Sequence, residues 1–248
     1  MSAPRVDVVI LTWNDGPLLD AAVSSALRSE GVDVRVFVVD NGSDPPAQAP
    51  LDDRGSLLRN RVNRGVAAGR NQGAGAGASP YVLFLDSDAR LLPSTLRLLV
   101  EPMERRADVA VTAPVFRGQP PEASAGRSPS LADKAVRVLG LRSVYRPMAA
   151  SGPYWDVDFA IGACQLVRRH AFDMVGGFDE SYFYGPEDVD LCLRLRRQGL
   201  RVLQVRSAEC EHPPRRRNRR LFTRRGLQHG WAVTRHLWRH RDSRRLAA

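Results

Sequence analysis

A strand, a helix and a second strand follow one another within the first 40 residues, and this order constrains the fold most. Val6–Trp13 is an apolar, β-branched run that ends at Asn14–Pro17, where Pro17 suits the first turn of a helix. Apolar residues then recur at helical spacing to about Ser29, and Val34–Asp40 is a second strand. Such a βαβ unit joins parallel strands. We therefore predict an α/β fold with an open, mostly parallel twisted sheet and helices on both faces.

Two carboxylates follow a third apolar run. Tyr81–Leu85 has the length and composition of a buried strand, and it leads directly into Asp86, Ser87 and Asp88. Paired carboxylates repel each other unless a cation lies between them, and Mg²⁺ and Mn²⁺ favour carboxylate oxygens together with substrate phosphates. The pattern indicates a divalent metal that holds a diphosphate. The structural alternative is a solvated turn in which Ser87 or Asp88 caps the next helix.

Three predicted strands end in polar residues rather than in the glycine or proline that a turn alone requires. These ends are Thr12–Asp15, Asp40–Ser43 and Asp86–Asp88. Ligands of open parallel sheets bind beyond the carboxyl ends of the strands. We therefore expect the three segments to meet in one site.

A second acidic cluster lies in the loop 176–190, which carries five acids among aromatic residues and runs into a helix that ends at Gly199. Asp188 and Asp190 fall near the start of that helix, where acids stabilise the helix dipole whatever else they do. A general base also suits this position, because the helix holds it rigidly and neighbouring aromatic rings can tune its pKa.

The rest of the chain continues the alternation of strands and helices. We predict a helix from Leu91 to Arg105, strands at 57–60, 108–114, 156–167 and 201–205, and a short helix at 171–175. Residues 117–150 are predicted to form a flexible or acceptor-facing insertion with an apolar helix near 131–139. Small residues at 63–73 allow close approach of the backbone to a ligand or a neighbouring element. The Gly/Ala run 73–78 precedes a strand, which excludes a dinucleotide fingerprint.

Charge is distributed unevenly along the 248 residues, whose formal net charge is +10. Residues 191–248 hold seventeen arginines and three acids, so the part before them is mildly acidic. In the arginine-rich tail, four residues form a stripe on one face of a predicted helix. A basic helix with such a stripe suits the surface of an anionic membrane, and the alternative is that the stripe packs on the main domain. The stripe consists of Leu227, Trp231, Thr234 and Trp238. We see no signal peptide and no run as long as a membrane span, and three scattered cysteines fit reduced thiols in a cytosolic protein.

Taken in order, these segments resemble a family 2 glycosyltransferase of the GT-A fold, in particular its bacterial rhamnosyltransferase-like branch. The resemblance covers about residues 5–212 and rests on Val8–Thr12, Val39–Ser43, Asn63–Gly65, Asp86–Asp88, Gly177–Glu180 and Glu187–Asp190. It implies a catalytic domain over 1–212, with a nucleotide-binding half at about 1–115 and an acceptor half at about 116–212. A basic helical extension would then occupy 213–248.

The resemblance also implies a role for each matching residue. Asp188 is the expected general base, Asp88 the expected metal ligand, and His212 matches a histidine that completes the metal site in some members. The expected contacts to the donor nucleotide are Thr12, Asn14, Asp40, Asn41, Asn63, Arg64, Gly65, Asp86 and Ser87. The expected loop for the acceptor or the donor sugar comprises Trp155, Gly162, Ala163, Phe183, Tyr184 and Glu187.

The reaction that the resemblance implies is an inverting transfer from a UDP-, dTDP- or GDP-sugar, with Mn²⁺ or Mg²⁺ as the cofactor. The acceptor would be a hydroxyl of a cell-surface glycan, a lipid-linked intermediate or another glycoconjugate. The expected location is cytoplasmic, with peripheral contact at the anionic inner face of the plasma membrane through the tail.

Two other functional classes stay open at this point. A sugar-nucleotide nucleotidyltransferase would be expected to carry a Gly-rich, Lys-containing phosphate loop near its first strand, whereas the only lysine of the chain is Lys134. A basic nucleic-acid-binding protein is compatible with the tail arginines. The acidic loop and the lack of a recognised binding motif do not favour it.

Overall fold

A computed structural model describes residues 2–49, 51–127 and 152–213. Its strands are β1 (Arg5–Thr12), β2 (Asp33–Asp40), β3 (Gly55–Arg59), β4 (Tyr81–Asp86), β5 (Arg90–Leu91), β6 (Val109–Phe116), β7 (Ala125–Gly126), β8 (Tyr154–Val157), β9 (Phe159–Ala160), β10 (Cys164–Arg168) and β11 (Arg201–Glu211). Its helices are α1 (Gly16–Leu27), α2 (Val66–Gly75), α3 (Thr95–Arg105), α4 (Arg169–Met174) and α5 (Glu187–Arg197), with a 3₁₀ turn at Pro121–Ala123. The predicted helix near 131–139 and the tail stripe lie outside the described residues.

The described strands form a large sheet in the order β3-β2-β1-β4-β10-β6-β11-β5, with β8 paired to β11, while β7 and β9 pair separately. The first four strands in this order are parallel. Thr12 lies in register with Asp40, and Leu11 lies in register with Asp86. The three polar strand ends therefore lie along one edge of the sheet, as the sequence predicts.

The second half of the sheet is mixed. β10 lies between β4 and β6 and runs antiparallel to both, whereas β6 and β11 are parallel. The strand predicted at 201–205 continues to Glu211 through an irregularity between Val205 and Glu209, so it ends beside His212. The helix predicted from Leu91 begins later, at Thr95, because Arg90 and Leu91 pair with the end of β11.

Helices cover both faces of the sheet. Leu19 and Val23 of α1 and Leu96 and Leu99 of α3 are fully buried in the core on one face. Each such side chain contributes about 1.5–3 kcal/mol when it leaves water. The other core contains Ala67 of α2 together with Leu191 and Leu195 of α5, among other residues.

Helix α2 packs closely on the sheet because its inner face is made of small residues. A Cβ atom at Gly69 would collide with Leu11, and one at Gly73 would collide with Val9. This packing agrees with the close approach that the small residues predict, and it brings the polar side chains of α2 towards the strand ends. Among the described helices, none has both the length and the apolar character required to span a membrane.

Candidate active site

The carboxyl ends of β1 and β2 form one side of the site. Asp40 is buried, and its carboxylate accepts hydrogen bonds of 2.9 Å from the backbone N–H groups of Ser43 and Ala47. Asp40 therefore holds the loop after β2 in shape. The buried hydroxyl of Thr12 has no hydrogen-bond partner among the described residues. An unsatisfied buried hydroxyl at a ligand-binding edge is expected where a substrate completes the hydrogen bonding.

The loops after β1 and β2 are joined through Asn14. Its backbone N–H donates to Ser43 Oγ at 3.0 Å, and its Oδ1 accepts from the backbone N–H of Asp44 at 2.9 Å. Asn14 has a positive φ of 58°, a conformation in which Asn is enriched among the non-glycine residues. These bonds fix the rim of the site.

Asn41 connects the β2 loop to the segment 60–65. Its side-chain N–H₂ donates at 3.0 Å both to Asn63 Oδ1 and to the carbonyl of Gly65, while its Oδ1 accepts from the backbone N–H of Arg64 and from Asn60. The amide of Asn41 thus has all of its hydrogen-bonding capacity in use. The Arg64 side chain is exposed at this rim and is available to an anionic ligand.

Three potential metal ligands meet at the ends of β4 and β11. Asp86, Asp88 and His212 each offer one ligand atom, and these atoms lie within 4.8 Å of one another. His212 Nε2 is 3.5 Å from Asp88 Oδ1, the imidazole packs on the ring of Phe116, and the backbone carbonyl of His212 accepts from Gln119. Carboxylate oxygens suit Mg²⁺ and Mn²⁺, and one imidazole favours the transition metal of the two. The donor set therefore fits the divalent ion that the sequence predicts.

Ser87, between the two acids, points to the other side of the strand. It is buried, and its hydroxyl donates to Asp15 Oδ2 at 2.9 Å. This bond ties the Asp86–Asp88 segment to the loop after β1. Ser87 therefore positions the two acids on either side of it.

Arg70 of α2 lies next to the cluster of Asp86, Asp88 and His212, which we call the metal-type cluster. Arg70 is buried, with 4% of its surface exposed. Its guanidinium donates to Asp86 Oδ1 at 2.8 Å, to Glu187 Oε1 at 2.9 Å and to the carbonyl of Gly162 at 2.8 Å. Burial by itself would lower the pKa of Arg70, but the surrounding carboxylates raise it above its usual range. Arg70 is therefore a permanent cation at the centre of the site.

Asp188 lies in the first turn of α5. Its Oδ2 accepts from the backbone N–H of Gly162 at 2.8 Å, and its Oδ1 accepts from the backbone N–H of Val189 at 2.8 Å. Next to Gly162, the carbonyl of Ala163 accepts from the backbone N–H of Asp86 at 3.0 Å. Gly162 and Ala163 therefore form a short bridge between Asp188 and the metal-type cluster.

The acids of the site have unusual electrostatics. Burial and the neighbouring carboxylate of Asp188 raise the pKa of Glu187 to about 7, although Arg70 opposes this shift. Desolvation also raises the pKa of Asp86 above its usual range; Arg70 opposes that shift and Asp88 adds to it. Perturbed acids grouped around one cleft are typical of functional sites.

The sequence matches the family described as Glycosyl transferase family 2 over residues 7–176. This match covers more than half of the chain and includes most of β1 and the Asp86–Asp88 segment. The chain belongs to glycosyltransferase family 2. A second match, to the N-terminal domain of galactosyltransferase, covers residues 142–215 and includes the acidic loop.

Two bacterial rhamnosyltransferases are similar to this glycosyltransferase. The N-acetylglucosaminyl-diphospho-decaprenol L-rhamnosyltransferase of Mycobacterium tuberculosis is 31% identical over 229 residues, which cover 83% of this chain and 75% of the relative. Rhamnosyltransferase WbbL of Escherichia coli is 31% identical over 165 residues, which cover 65% of this chain and 62% of that protein. These relatives confirm the predicted rhamnosyltransferase-like branch of the family.

Two solved structures share the fold. The mannosyltransferase PcManGT of Pyrobaculum calidifontis, in complex with GDP-Man and Mn²⁺, superposes with a TM-score of 0.68 at 18% identity and covers 96% of this chain and 65% of its own. GalNAc-T7 with UDP, GalNAc and Mn²⁺ superposes with a TM-score of 0.65 at 15% identity and covers 84% of this chain and 44% of its own. This glycosyltransferase therefore has the predicted GT-A fold, while it spans less than half of the second of these two chains.

The residues predicted to face the acceptor or the donor sugar do not all lie together. Phe183 and Tyr184 are 40% and 46% exposed, and the carbonyl of Phe183 accepts from the backbone N–H of Val66 at 2.7 Å. Gly65 permits this contact, because a Cβ there would lie 2.8 Å from the Phe183 carbonyl. Trp155 lies on β8, in register with Gln204 of β11 and beneath the guanidinium of Arg206. The individual ligand roles assigned to the site residues stay predictions.

Sequence reasoning missed one residue of the site, Arg70, whereas Asp15 belongs to the predicted strand end Thr12–Asp15. The signal for Arg70 was a single charged residue on the small-residue face of a helix, because such a residue needs an anionic partner when it is buried. We attributed that stretch to close backbone approach alone.

Proposed function

We propose that this glycosyltransferase moves a sugar from a nucleoside-diphosphate sugar to an acceptor hydroxyl, with inversion at the anomeric carbon and with a divalent metal as cofactor. The observation that carries the proposal is the bridge between the metal-type cluster and Asp188. Asp86 donates its backbone N–H to Ala163, and the neighbouring Gly162 donates its own to Asp188. Residues suited to a leaving diphosphate and a residue suited to a general base therefore flank one short segment.

The donor nucleotide binds along the edge formed by the ends of β1, β2 and β4. In this proposal Thr12 contributes its unsatisfied hydroxyl to recognition of the base and the ribose, and Asp40 contributes through the loop that its carboxylate holds. Arg64 offers an exposed guanidinium to the diphosphate. Asn63 and Gly65 fix the loop that carries it, since the backbone N–H of Arg64 donates to Asn41 and that of Gly65 donates to Asn63. A guanidinium binds phosphate oxygens well.

Asp86, Asp88 and His212 would hold the divalent ion, which when bound neutralises the charge that develops on the departing diphosphate. Arg70 does not replace this function, because its guanidinium is already shared between Asp86 and Glu187. At the metal-type cluster itself, the protein thus contributes carboxylates and an imidazole, whereas the cation Arg70 is already paired. Mn²⁺ fits this donor set, and Mg²⁺ is the alternative ion.

Asp188 accepts the proton of the attacking acceptor hydroxyl at a carboxylate oxygen. The backbone N–H groups of Gly162 and Val189 donate to this carboxylate and fix its orientation. One displacement, with attack from the face opposite the leaving diphosphate, inverts the anomeric carbon. A second carboxylate nucleophile, as in retaining glycosidases, is not required because the donor carries its own leaving group.

The acceptor is a glycan hydroxyl on a lipid-linked intermediate, and the transferred sugar is rhamnose or a closely similar sugar. The similarity to the M. tuberculosis rhamnosyltransferase supports this assignment, since that protein is named for a diphospho-decaprenol acceptor. Phe183 and Tyr184 offer exposed aromatic faces in the loop 176–190, which leads into the helix that carries Asp188. Such faces suit the apolar side of a sugar ring.

We further propose that the arginine-rich tail brings the enzyme to the cytoplasmic face of an anionic membrane, where lipid-linked acceptors lie. The proposal rests on the sequence from Arg215 onwards, in which arginines surround the Leu227–Trp238 stripe. The full chain should sediment with phosphatidylglycerol vesicles at low salt, and a chain that ends at Pro214 should not. Equal sedimentation of both chains, or of neither, would contradict membrane docking by the tail.

The donor is tested by thermal shift of the full chain with UDP-, dTDP- and GDP-sugars, each with Mn²⁺, with Mg²⁺ or with EDTA. A ligand that binds only the native state raises the melting temperature, by an amount that grows with the ratio of its concentration to its Kd. We expect one nucleotide class to stabilise the protein in the presence of metal and to lose this effect in EDTA. If no nucleotide sugar stabilises the protein, or if EDTA changes nothing, the metal-dependent function is wrong.

A further inference from the structure

We infer that Arg70 is a positioning residue for glycosyl transfer. Its guanidinium holds the Asp86 carboxylate and the Gly162 peptide in a fixed relative position, and the N–H of Gly162 in turn donates a hydrogen bond to Asp188. The inference rests on the proposed function and adds to it a residue that does not touch the substrate. In this role Arg70 aligns the metal-type cluster, where the sugar donor binds, with the proposed general base Asp188.

The contacts of Arg70 join elements that are far apart in the chain. From α2, the same guanidinium reaches Asp86 at the end of β4, Glu187 at the start of α5 and the carbonyl of Gly162 in the loop between β9 and β10. The two carboxylates and the carbonyl are approached within 2.8–2.9 Å. A planar guanidinium with several fixed donors can hold three such acceptors together, whereas an ammonium group cannot reproduce this geometry.

The Gly162 peptide transmits this geometry to the base. Its carbonyl accepts from Arg70, and its N–H donates to Asp188 Oδ2 at 2.8 Å. A shift of Arg70 therefore moves the donor that orients the Asp188 carboxylate. Misplacement of a reacting group by about 1 Å can cost on the order of 10²-fold in rate.

The guanidinium of Arg70 lies close to Gly162 on one side and to Phe178 on another. A Cβ atom at Gly162 would collide with the Arg70 guanidinium, and the ring of Phe178 lies 5.7 Å from its Cζ. The adjacent Asn71 exchanges two 2.9 Å hydrogen bonds with the backbone of Phe178, which fixes that ring. Helix α2 thus holds both Arg70 and the loop that packs on it.

A purely structural ion pair is the competing explanation, and the chain contains a matched control for it. Arg169, at the opposite edge of the sheet, donates to the buried carboxylate of Asp7 at 2.8 Å and to the carbonyls of Ser79 and Ala74. Arg70 and Arg169 therefore share the same kinds of partners, namely carboxylates and backbone carbonyls. Only Arg70 contacts a peptide that is bonded to Asp188.

The test compares Arg70→Lys with Arg169→Lys in the full chain. Three quantities are measured: the melting temperature, the Kd of the nucleoside diphosphate selected in the thermal-shift screen with Mn²⁺, and the kcat of nucleoside diphosphate release during transfer. Arg70→Lys is expected to lower kcat about ten- to hundredfold and to change Kd less than about threefold. Arg169→Lys is expected to lower the melting temperature without a comparable loss of kcat.

A second comparison uses the Asp188→Asn background. If Arg70 acts through Asp188, then Arg70→Lys should change the residual turnover of Asp188→Asn by less than about threefold. Should Arg70→Lys fail to fold, Glu187→Gln loosens the same guanidinium without removing it, and it should lower kcat several-fold at unchanged Kd.

The outcomes separate this inference from the function on which it rests. The inference alone would be wrong if the wild type is active and Arg70→Lys keeps an unchanged kcat. If Arg70→Lys does not fold, an unchanged kcat in Glu187→Gln leads to the same conclusion. The inference alone would also be wrong if the fold-losses of kcat from Arg70→Lys and Asp188→Asn multiplied fully in the double variant. The same conclusion would follow if Arg169→Lys lost as much kcat as Arg70→Lys. A wild type that neither binds the nucleotides nor releases nucleoside diphosphate would overturn the proposed function and, with it, the role of Arg70.

Discussion

His212 Nε2 lies 3.5 Å from Asp88 Oδ1, although the two residues are far apart in the sequence. The irregular course of β11 after Val205 and the pairing of its end with Arg90 and Leu91 bring them together. Their proximity is thus a consequence of the sheet. It makes the three-residue cluster with Asp86 a testable metal site.

Asp88→Ala should abolish metal-dependent donor binding, because the cluster loses the carboxylate that faces both Asp86 and His212. The measurement is calorimetric titration of a nucleoside diphosphate with and without Mn²⁺. Asp52→Ala is the control, since that carboxylate is half exposed and pairs with Arg54 away from the site. If Asp88→Ala keeps an affinity that EDTA still removes, the metal lies elsewhere.

Much of the first half of the fold could be predicted, because its signals are local. The apolar runs at β1, β2 and β4 and the polar residues after them define both the strands and the edge where they end. The direction of β10 could not be predicted, since an apolar run has the same pattern whether its neighbours are parallel or antiparallel. The extension of β11 beyond Val205 depends on pairing with β5 and β6, which no window of sequence contains.

The candidate site shows the same division. Asp86, Asp88, Asp188 and His212 were identified from the order of the segments in the chain. Arg70 was missed, since its function depends on acids from β4 and α5 that only the folded chain brings to it. Short-range sequence patterns indicate which residues can bind a metal or accept a proton. A buried residue such as Arg70, which aligns them, is recognised only once its partners in the folded chain are known.

Gly162→Ala should impair turnover more than stability. The three atoms nearest to the added Cβ all belong to the Arg70 guanidinium, so that group must shift and its bonds to the Gly162 carbonyl and Asp86 are disturbed. We expect kcat to fall tenfold or more, and the free energy of unfolding to fall by about 1–3 kcal/mol, typical of a disturbed buried hydrogen bond. Turnover assays and urea denaturation measure the two effects.

Gly75→Ala is the matched control for that substitution. Gly75 lies at the end of α2, and a Cβ there would meet no atom within 4 Å. Alanine should therefore stabilise the helix by up to about 1 kcal/mol and leave kcat unchanged. Equal turnover in Gly162→Ala and the wild type would contradict the described fit between Gly162 and Arg70.

Glu187 should make the wild type less stable as the pH rises. Its pKa is raised from 4.5 to about 7 in the folded protein, so between these values the folded state binds more protons than the unfolded state. The stabilisation that protonated Glu187 provides is present at low pH and is lost as the pH rises towards and through 7. Glu187→Gln removes this dependence because the amide does not titrate.

Urea denaturation at pH 5 and pH 8 measures the effect. The loss of unfolding free energy between the two pH values should be smaller in Glu187→Gln than in the wild type. Glu101→Gln serves as the control, since Glu101 pairs with Arg105 on the surface of α3 and is not part of the site. Identical pH dependence of the wild type and Glu187→Gln would show that Glu187 is not protonated near neutral pH.

The assignment of Asp188 as the general base is the central claim, and one substitution tests it most directly. Asp188→Asn keeps the volume of the side chain and an oxygen that can accept from Gly162, but it removes the proton acceptor. The decisive measurement is kcat for transfer alongside the calorimetric Kd of the nucleoside diphosphate with Mn²⁺. We predict an unchanged Kd and a kcat lowered by roughly 10²–10⁴-fold; near-normal transfer by Asp188→Asn would contradict the account.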